Sequence, residues 1–189
     1  MARPLSEEKR EAILTAAIEL VATQGTGAPT AKIAKAAGFA EGTLFTYFAT
    51  KDDLLNQVFL EIEAELAAAL LDGYPGDGSP YERTRHLWDR LIDWGAANPA
   101  KRKAMRQLKV SDRVSEDSRC RAGELFQEIT GVLEQNLADH APVGQKVTYV
   151  AAILDTLAET TLEFILRDPE KREHYKQSGF EIFWKGIAR

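Results

Sequence analysis

The chain has 189 residues, 44% hydrophobic and 28% charged, the balance of an ordinary globular protein with one large domain or a small domain joined to a larger one. Its formal net charge is −5, and the first 55 residues hold six Lys/Arg against seven Asp/Glu, so bulk charge does not mark a nucleic-acid binder. No run approaches the ~18 apolar residues of a transmembrane helix, the N-terminus lacks a signal-peptide core, and the single Cys120 excludes an intrachain disulfide. A cytoplasmic protein without membrane contact is expected.

Helix signals then follow one another along the chain. Ser6 is placed to cap a helix whose first turn holds Glu7 and Glu8 and whose apolar positions are Ile13, Leu14, Ala17, Ile18 and Val21. Gly25 and Gly27 end it. Thr30 is expected to cap a short helix, 31–37, that buries Ile33, Ala34 and Ala37, and Gly38 is the positive-φ candidate that stops it. A second short helix starts at Glu41. Thr50 and Asp53 then form a T-x-x-D capping box for a helix reaching about Leu71. "DGYPGDGSP" (72–80) is the clearest break. Ser79-Pro80, Asn98-Pro99 and Asp168-Pro169 each read as a cap followed by proline, and "HAPVG" (140–144) is a further break. Helices are expected at about 80–97, 99–110, 116–139, 145–167 and 170–187. No stretch shows strand alternation. The fold class is all-α, with about nine helices. The expected domains are 1–50 and 51–189.

The two short helices separated by Gly38-Phe39-Ala40 have helix-turn-helix spacing. Leu44 and Phe48, four apart, are expected to face inward with Ile33. The remaining face presents Gly42, Thr43, Phe45, Thr46 and Tyr47. Threonine hydroxyls and methyls suit base edges and phosphate, aromatic rings pack on sugar or thymine, and a tyrosine hydroxyl reaches phosphate. Gly42 leaves room for close backbone approach. Lys51, at the start of the next helix, suits a phosphate. The plainer alternative for 30–48 is a helical hairpin inside a bundle.

"TAKIAKAAGFAEGTLFTYFATKDDLL" resembles the DNA-binding region of the TetR family of bacterial transcriptional repressors. The matching positions are Thr30, Ile33-Ala34, Ala37-Gly38, Gly42-Thr43-Leu44-Phe45, Phe48, Lys51 and Leu54-Leu55. The chain departs from the family pattern at Phe45, where tyrosine is usual, and at Tyr47, where histidine is usual. The resemblance implies a homodimer that binds duplex operator DNA and responds to a small-molecule effector in its C-terminal region. "WGAANPAKRKAMRQLKVSD" and "LAETTLEFILRDP" are similar to the enterobacterial multidrug-responsive members of that family, which points to a lipophilic, often cationic effector.

Candidates for the effector site are Phe59, Glu63, Leu66, Thr84, Trp88, Leu91, Met105, Phe126, Ile129, Leu133, Leu154 and Asp155, aromatic and aliphatic walls with a few polar groups. Taken singly, each apolar member also reads as core, and Glu63 and Asp155 as surface carboxylates. Leu157 and the stripe Phe180, Phe183, Trp184 and Ile187 are expected to form a four-helix interface with a second copy. "KRKAMRQLK" (101–109) reads as a solvated face, or a contact beside the DNA-binding domain, rather than a nucleic-acid patch. His86, His140 and His174 read as surface residues without metal-ligand spacing. No Ser-His-Asp set, E-x-x-H pair or Gly-rich phosphate loop is present, so no catalytic residue, metal or cofactor is expected. The competing readings are an all-helical adaptor that does not bind DNA and a family member acting as activator.

Overall fold

The computed structural model describes residues 6–137 and 146–187. Ten α-helices and one 3-10 turn account for the regular structure among them: α1 (Glu7–Gln24), α2 (Thr30–Ala36), α3 (Glu41–Tyr47), α4 (Lys51–Leu71), α5 (Pro80–Ala97), α6 (Pro99–Lys109), α7 (Glu116–Leu125), α8 (Gln127–Leu137), α9 (Val147–Arg167), the 3-10 turn Pro169–Lys171 and α10 (Arg172–Ile187). No helix among the described residues is long and apolar enough to cross a membrane. The expected break at 140–144 and His140 lie outside the described residues.

Three helix starts carry their expected side-chain caps, whereas Asn98 and Asp168 hold N-cap positions without a side-chain cap bond. Ser6 Oγ accepts from the Lys9 N–H. Thr50 and Asp53 bond reciprocally, each side chain to the other's N–H at 3.0 and 2.9 Å, and Ser79 with Glu82 forms a second box. Two expectations are corrected. Pro29, not Thr30, holds the N-cap of α2, because its extended backbone already makes the turn and Thr30 is helical. The segment expected as one helix over 116–139 is interrupted at Phe126 into α7 and α8, one turn after the weak helix former Gly123.

The chain packs as two compact units. One holds the residues up to Ala64 together with Asn98–Gly123; the other holds Glu65–Ala97 together with the chain from Glu124 on. This packing division does not follow a boundary at residue 50. In the first unit α6 lies along α1, and Ile13, Leu14, Val21, Ile33, Leu44, Leu54, Leu55 and Leu108 are fully buried. The basic α6 is therefore only partly a solvated face: Ala104 and Leu108 point inward, and even Arg102 is buried.

In the second unit α5, α8, α9 and α10 surround a core of Leu66, Leu70, Leu87, Trp88, Ile92, Ile129, Leu133, Leu154, Leu162, Phe180 and Phe183. Trp88 is its centre. The indole N–H donates to the Lys176 carbonyl at 2.9 Å, and the ring lies against Gly179 and Phe180. Lys176 is buried yet paired, its ammonium 2.8 Å from Asp93 and 3.5 Å from Asp89. Burial alone would raise the Asp93 pKa, but hydrogen bonds from Lys176 and Arg172 hold it below the usual carboxylate range. A carboxyl depressed in the fold stabilises above its unfolded pKa, so this tie between α5 and α10 weakens as pH falls through the folded value.

Candidate nucleic-acid interface

The candidate surface is built in the first unit by α2, α3 and the start of α4. Gly38, at φ +83°, ends α2 in a Schellman motif: its own N–H donates to the Lys35 carbonyl and that of Phe39 to the Ala34 carbonyl, 3.1 and 2.8 Å. Any L side chain would be strained there. The chain then turns so that α3 packs against α2, and Ala34 is fully buried. Leu44 and Phe48 are buried with Ile33 and fix the rotation of α3. With that rotation set, the opposite face is available. Gly42 and Thr46 are exposed, Thr43 and Tyr47 are half-buried, and Phe45 is 43% exposed, a large ring held in solvent on a helix otherwise anchored by leucine. A Cβ on Gly42 would meet no atom within 4 Å.

Several bonds within this surface were not legible in the sequence. Thr30 Oγ1 donates to the Glu41 carboxylate, tying the start of α2 to the first turn of α3. The Tyr47 hydroxyl accepts from the Ser6 backbone N–H at 3.1 Å, which leaves its own proton for an acceptor outside. Thr46 Oγ1 back-bonds to the Gly42 carbonyl at 3.0 Å, so its free capacity is as acceptor. Lys51 is half-buried at the head of α4, and its pKa is lowered, first by burial and then by Arg113, with Asp52 opposing. Beside this head lies an open polar cleft of about 770 Å³ whose lining includes Arg10, Tyr47, Asp52, Asn56, Gln57 and Arg113.

The effector candidates divide between the units. Phe59, Glu63 and Met105 are buried in the first. Glu63 is thus not a surface carboxylate. Leu66, Thr84, Trp88, Ile129, Leu133 and Leu154 are buried in the second, Leu91 and Phe126 pack partly buried against the same core, and Asp155 is half-buried on α9. Thr84 is fully buried with no hydrogen-bond partner for its hydroxyl.

The residues expected to meet a second copy differ in burial. Phe180 and Phe183 are 0% and 2% exposed, consumed by their own unit because α10 turns that face onto Trp88 and Tyr81. Trp184 is half-buried, edge-on to Tyr81, and Leu157 is half-buried against the core. The side chain of Ile187 lies outside the described set. The apolar groups that α9 and α10 do expose are different ones: Tyr149, Phe164, Leu166 and Ile182.

Residues 13–58 match the family described as bacterial regulatory proteins, tetR family. Among solved structures, a protein described as a tetR family transcription regulator from Shewanella sp. PV-4 is similar at 28% identity and a TM-score of 0.84, over 96% of this chain and 98% of that one. A TetR family transcription regulator from Marinobacter aquaeolei VT8 is similar at 21% identity and a TM-score of 0.81, over 96% of each chain. The transcriptional regulator FadR from Bacillus subtilis in complex with stearoyl-CoA is similar at 19% identity and a TM-score of 0.72, over 94% of this chain and 99% of that one. The chain has the all-helical fold of TetR-family transcription regulators.

Proposed function

We propose that the protein is a ligand-responsive transcriptional repressor whose residues 1–50 read a two-fold duplex operator, residues 51–189 forming the effector and dimerisation region. The observation that carries this is the α3 surface: Leu44 and Phe48 anchor the helix inward, while Gly42, Thr43, Phe45, Thr46 and Tyr47 stand on the outer face with no partner element covering Phe45. Thr30, through Glu41, holds α3 in register on α2. Two such heads on one dimer would enter successive major grooves. The direct experiment is selection of bound genomic fragments by the purified chain, repeated with a panel of lipophilic compounds. Absence of fragment enrichment would favour the adaptor reading. Lys51→Ala is expected to weaken binding to all sequences alike and to lower the magnitude of the salt slope by about one, which anisotropy titrations at several salt concentrations measure.

The second copy is assigned to the outer faces of α9 and α10. Tyr149, Ile153, Leu157 and Phe164 fall at i, i+4, i+8 and i+15 along α9, one stripe that is exposed or half-exposed over its length. Ile182, 62% exposed, stands on the side of α10 away from Phe180 and Phe183. Isologous pairing of these faces would bury them in a four-helix contact. Leu157→Glu with Ile182→Glu is expected to give a folded monomer, read by light scattering and circular dichroism. A dimer that survives both charges would place the interface elsewhere.

The effector is assigned to the second unit, whose interior is aliphatic and aromatic with Thr84 as a buried hydroxyl lacking a partner. That chemistry suits a lipophile. The solved neighbour carrying stearoyl-CoA and the likeness to multidrug-responsive repressors point the same way. Glu63 belongs to the other unit and Asp155 is half-buried, so neutral lipophiles fit this interior at least as well as cations.

A further inference from the structure

We infer that Arg113 is a positioning residue for DNA binding: it masks the carboxylate of Asp52 at the phosphate-facing head of α4, and Asn56 holds it in place. The inference rests on the reading of Lys51 as a phosphate contact. The head of α4 reads Lys51-Asp52-Asp53. Asp53 serves the capping box with Thr50. Asp52 has no part in that box, is exposed, and stands next to the lysine. Acidic residues there favour the helix dipole. They are wrong for a phosphate, since one lysine and two aspartates leave the head at net −1.

Arg113 supplies the missing charge from the turn that follows α6. Its Nη1 lies 2.7 Å from Asp52 Oδ1. The turn is held to α4 by the Asn56 amide as well. Asn56 Nδ2 donates to the carbonyls of Asp52 and Arg113 at 2.7 and 2.9 Å, and Oδ1 accepts from the Ser115 N–H and hydroxyl at 2.9 and 3.1 Å. Both amide hydrogens and both acceptor directions of Asn56 are used, so no other side chain of its size substitutes for it. Arg113 and Asp52 line the open cleft beside Tyr47, where solvent and ions reach them. The Lys51 pKa is lowered first by burial and second by Arg113, and that second contribution fits two cations flanking one carboxylate. The chemical consequence is a charge cover: with the 113–115 turn seated, Asp52 is neutralised and the head accepts phosphate; with the turn displaced, Asp52 is uncovered and repels it.

The test uses the full chain and a fluorescein-labelled duplex of mixed sequence at low salt. Arg113→Ala is expected to weaken binding about tenfold, the order of a unit charge uncovered ~6 Å from a phosphate at an effective dielectric of ~40. Asp52→Asn alone is expected to tighten binding, and in the Arg113→Ala background to restore it to within about threefold of the unaltered chain. Loss on Arg113→Ala without rescue by Asp52→Asn would overturn the inference, showing that Arg113 touches phosphate itself or only supports the fold. Unchanged or weaker binding by the Asp52→Asn single variant, which removes no structural cation, would overturn it too. Failure of the underlying DNA reading would appear separately, as no salt-dependent binding by the unaltered chain.

Discussion

Gly179→Ala is expected to destabilise the protein by about 1–3 kcal/mol, although alanine is the better helix former by ~1 kcal/mol. Gly179 lies in the middle of α10, where propensity alone favours replacement. Its missing Cβ is what lets α10 seat: a methyl there would fall 2.5 Å from Thr161 Oγ1 and 2.7 Å from Trp88 Cζ2. Neither neighbour can yield. The Thr161 hydroxyl is bonded to the Leu157 carbonyl at 2.8 Å, and the indole is pinned by its bond to the Lys176 carbonyl. Close-packed interiors charge 1–3 kcal/mol or more for such overpacking, about 2–4 °C of melting temperature per kcal/mol at this chain length. The measurement is the thermal or urea midpoint. The same change should cost markedly less in a Trp88→Phe, Thr161→Ala background, which removes the two colliding groups, with a coupling of about 0.5–3 kcal/mol. Equal costs in both backgrounds would mean that the close approach is not what fixes glycine here.

Gly42→Glu should separate stability from DNA binding. Gly42 is the second residue of α3, exposed, and faces open space. Glutamate there removes the glycine penalty of ~0.5–1 kcal/mol and favours the helix dipole by ~0.3–1 kcal/mol, so the melting temperature should hold or rise. The same carboxylate would stand in the face assigned to the groove. Binding to a selected genomic fragment should fall about a hundredfold, the size of one or two lost contacts at ~1–3 kcal/mol each. Calorimetry and anisotropy on one preparation give both numbers. A stable variant that binds as before would remove α3 from the reading role.

Both expectations bear on how far the fold could be read from the chain alone. Local chemistry was legible: Ser6, the Thr50–Asp53 and Ser79–Glu82 boxes, Gly38 and the inward pair Leu44 and Phe48 all act within a few residues of themselves. Contacts between distant residues were not. Asn56 and Arg113 are 57 apart, Ser6 and Tyr47 are 41 apart, and no spacing rule connects them. The one local hint was Asn56 itself, a residue that helices tolerate poorly unless its amide has work elsewhere. α10 shows a different limit. Its period marked Phe180, Phe183 and Trp184 as one stripe but could not say what covers it, and the unit's own Trp88 and Tyr81 claim it first. Burial likewise predicts that an effector candidate turns inward, not which compact unit it joins: Phe59, Glu63 and Met105 fall in the first and the others in the second.

The bond from the Trp88 indole to the Lys176 carbonyl gives the protein an internal clock. That proton is fully buried, whereas the indole N–H of Trp94 donates to Glu65 on a half-buried ring and Trp184 is also half-buried. In deuterium oxide the three indole resonances should vanish at different times, the Trp88 signal persisting until α10 lifts from α5. Its lifetime therefore times the opening of the second unit without a label, a cofactor or an added chromophore.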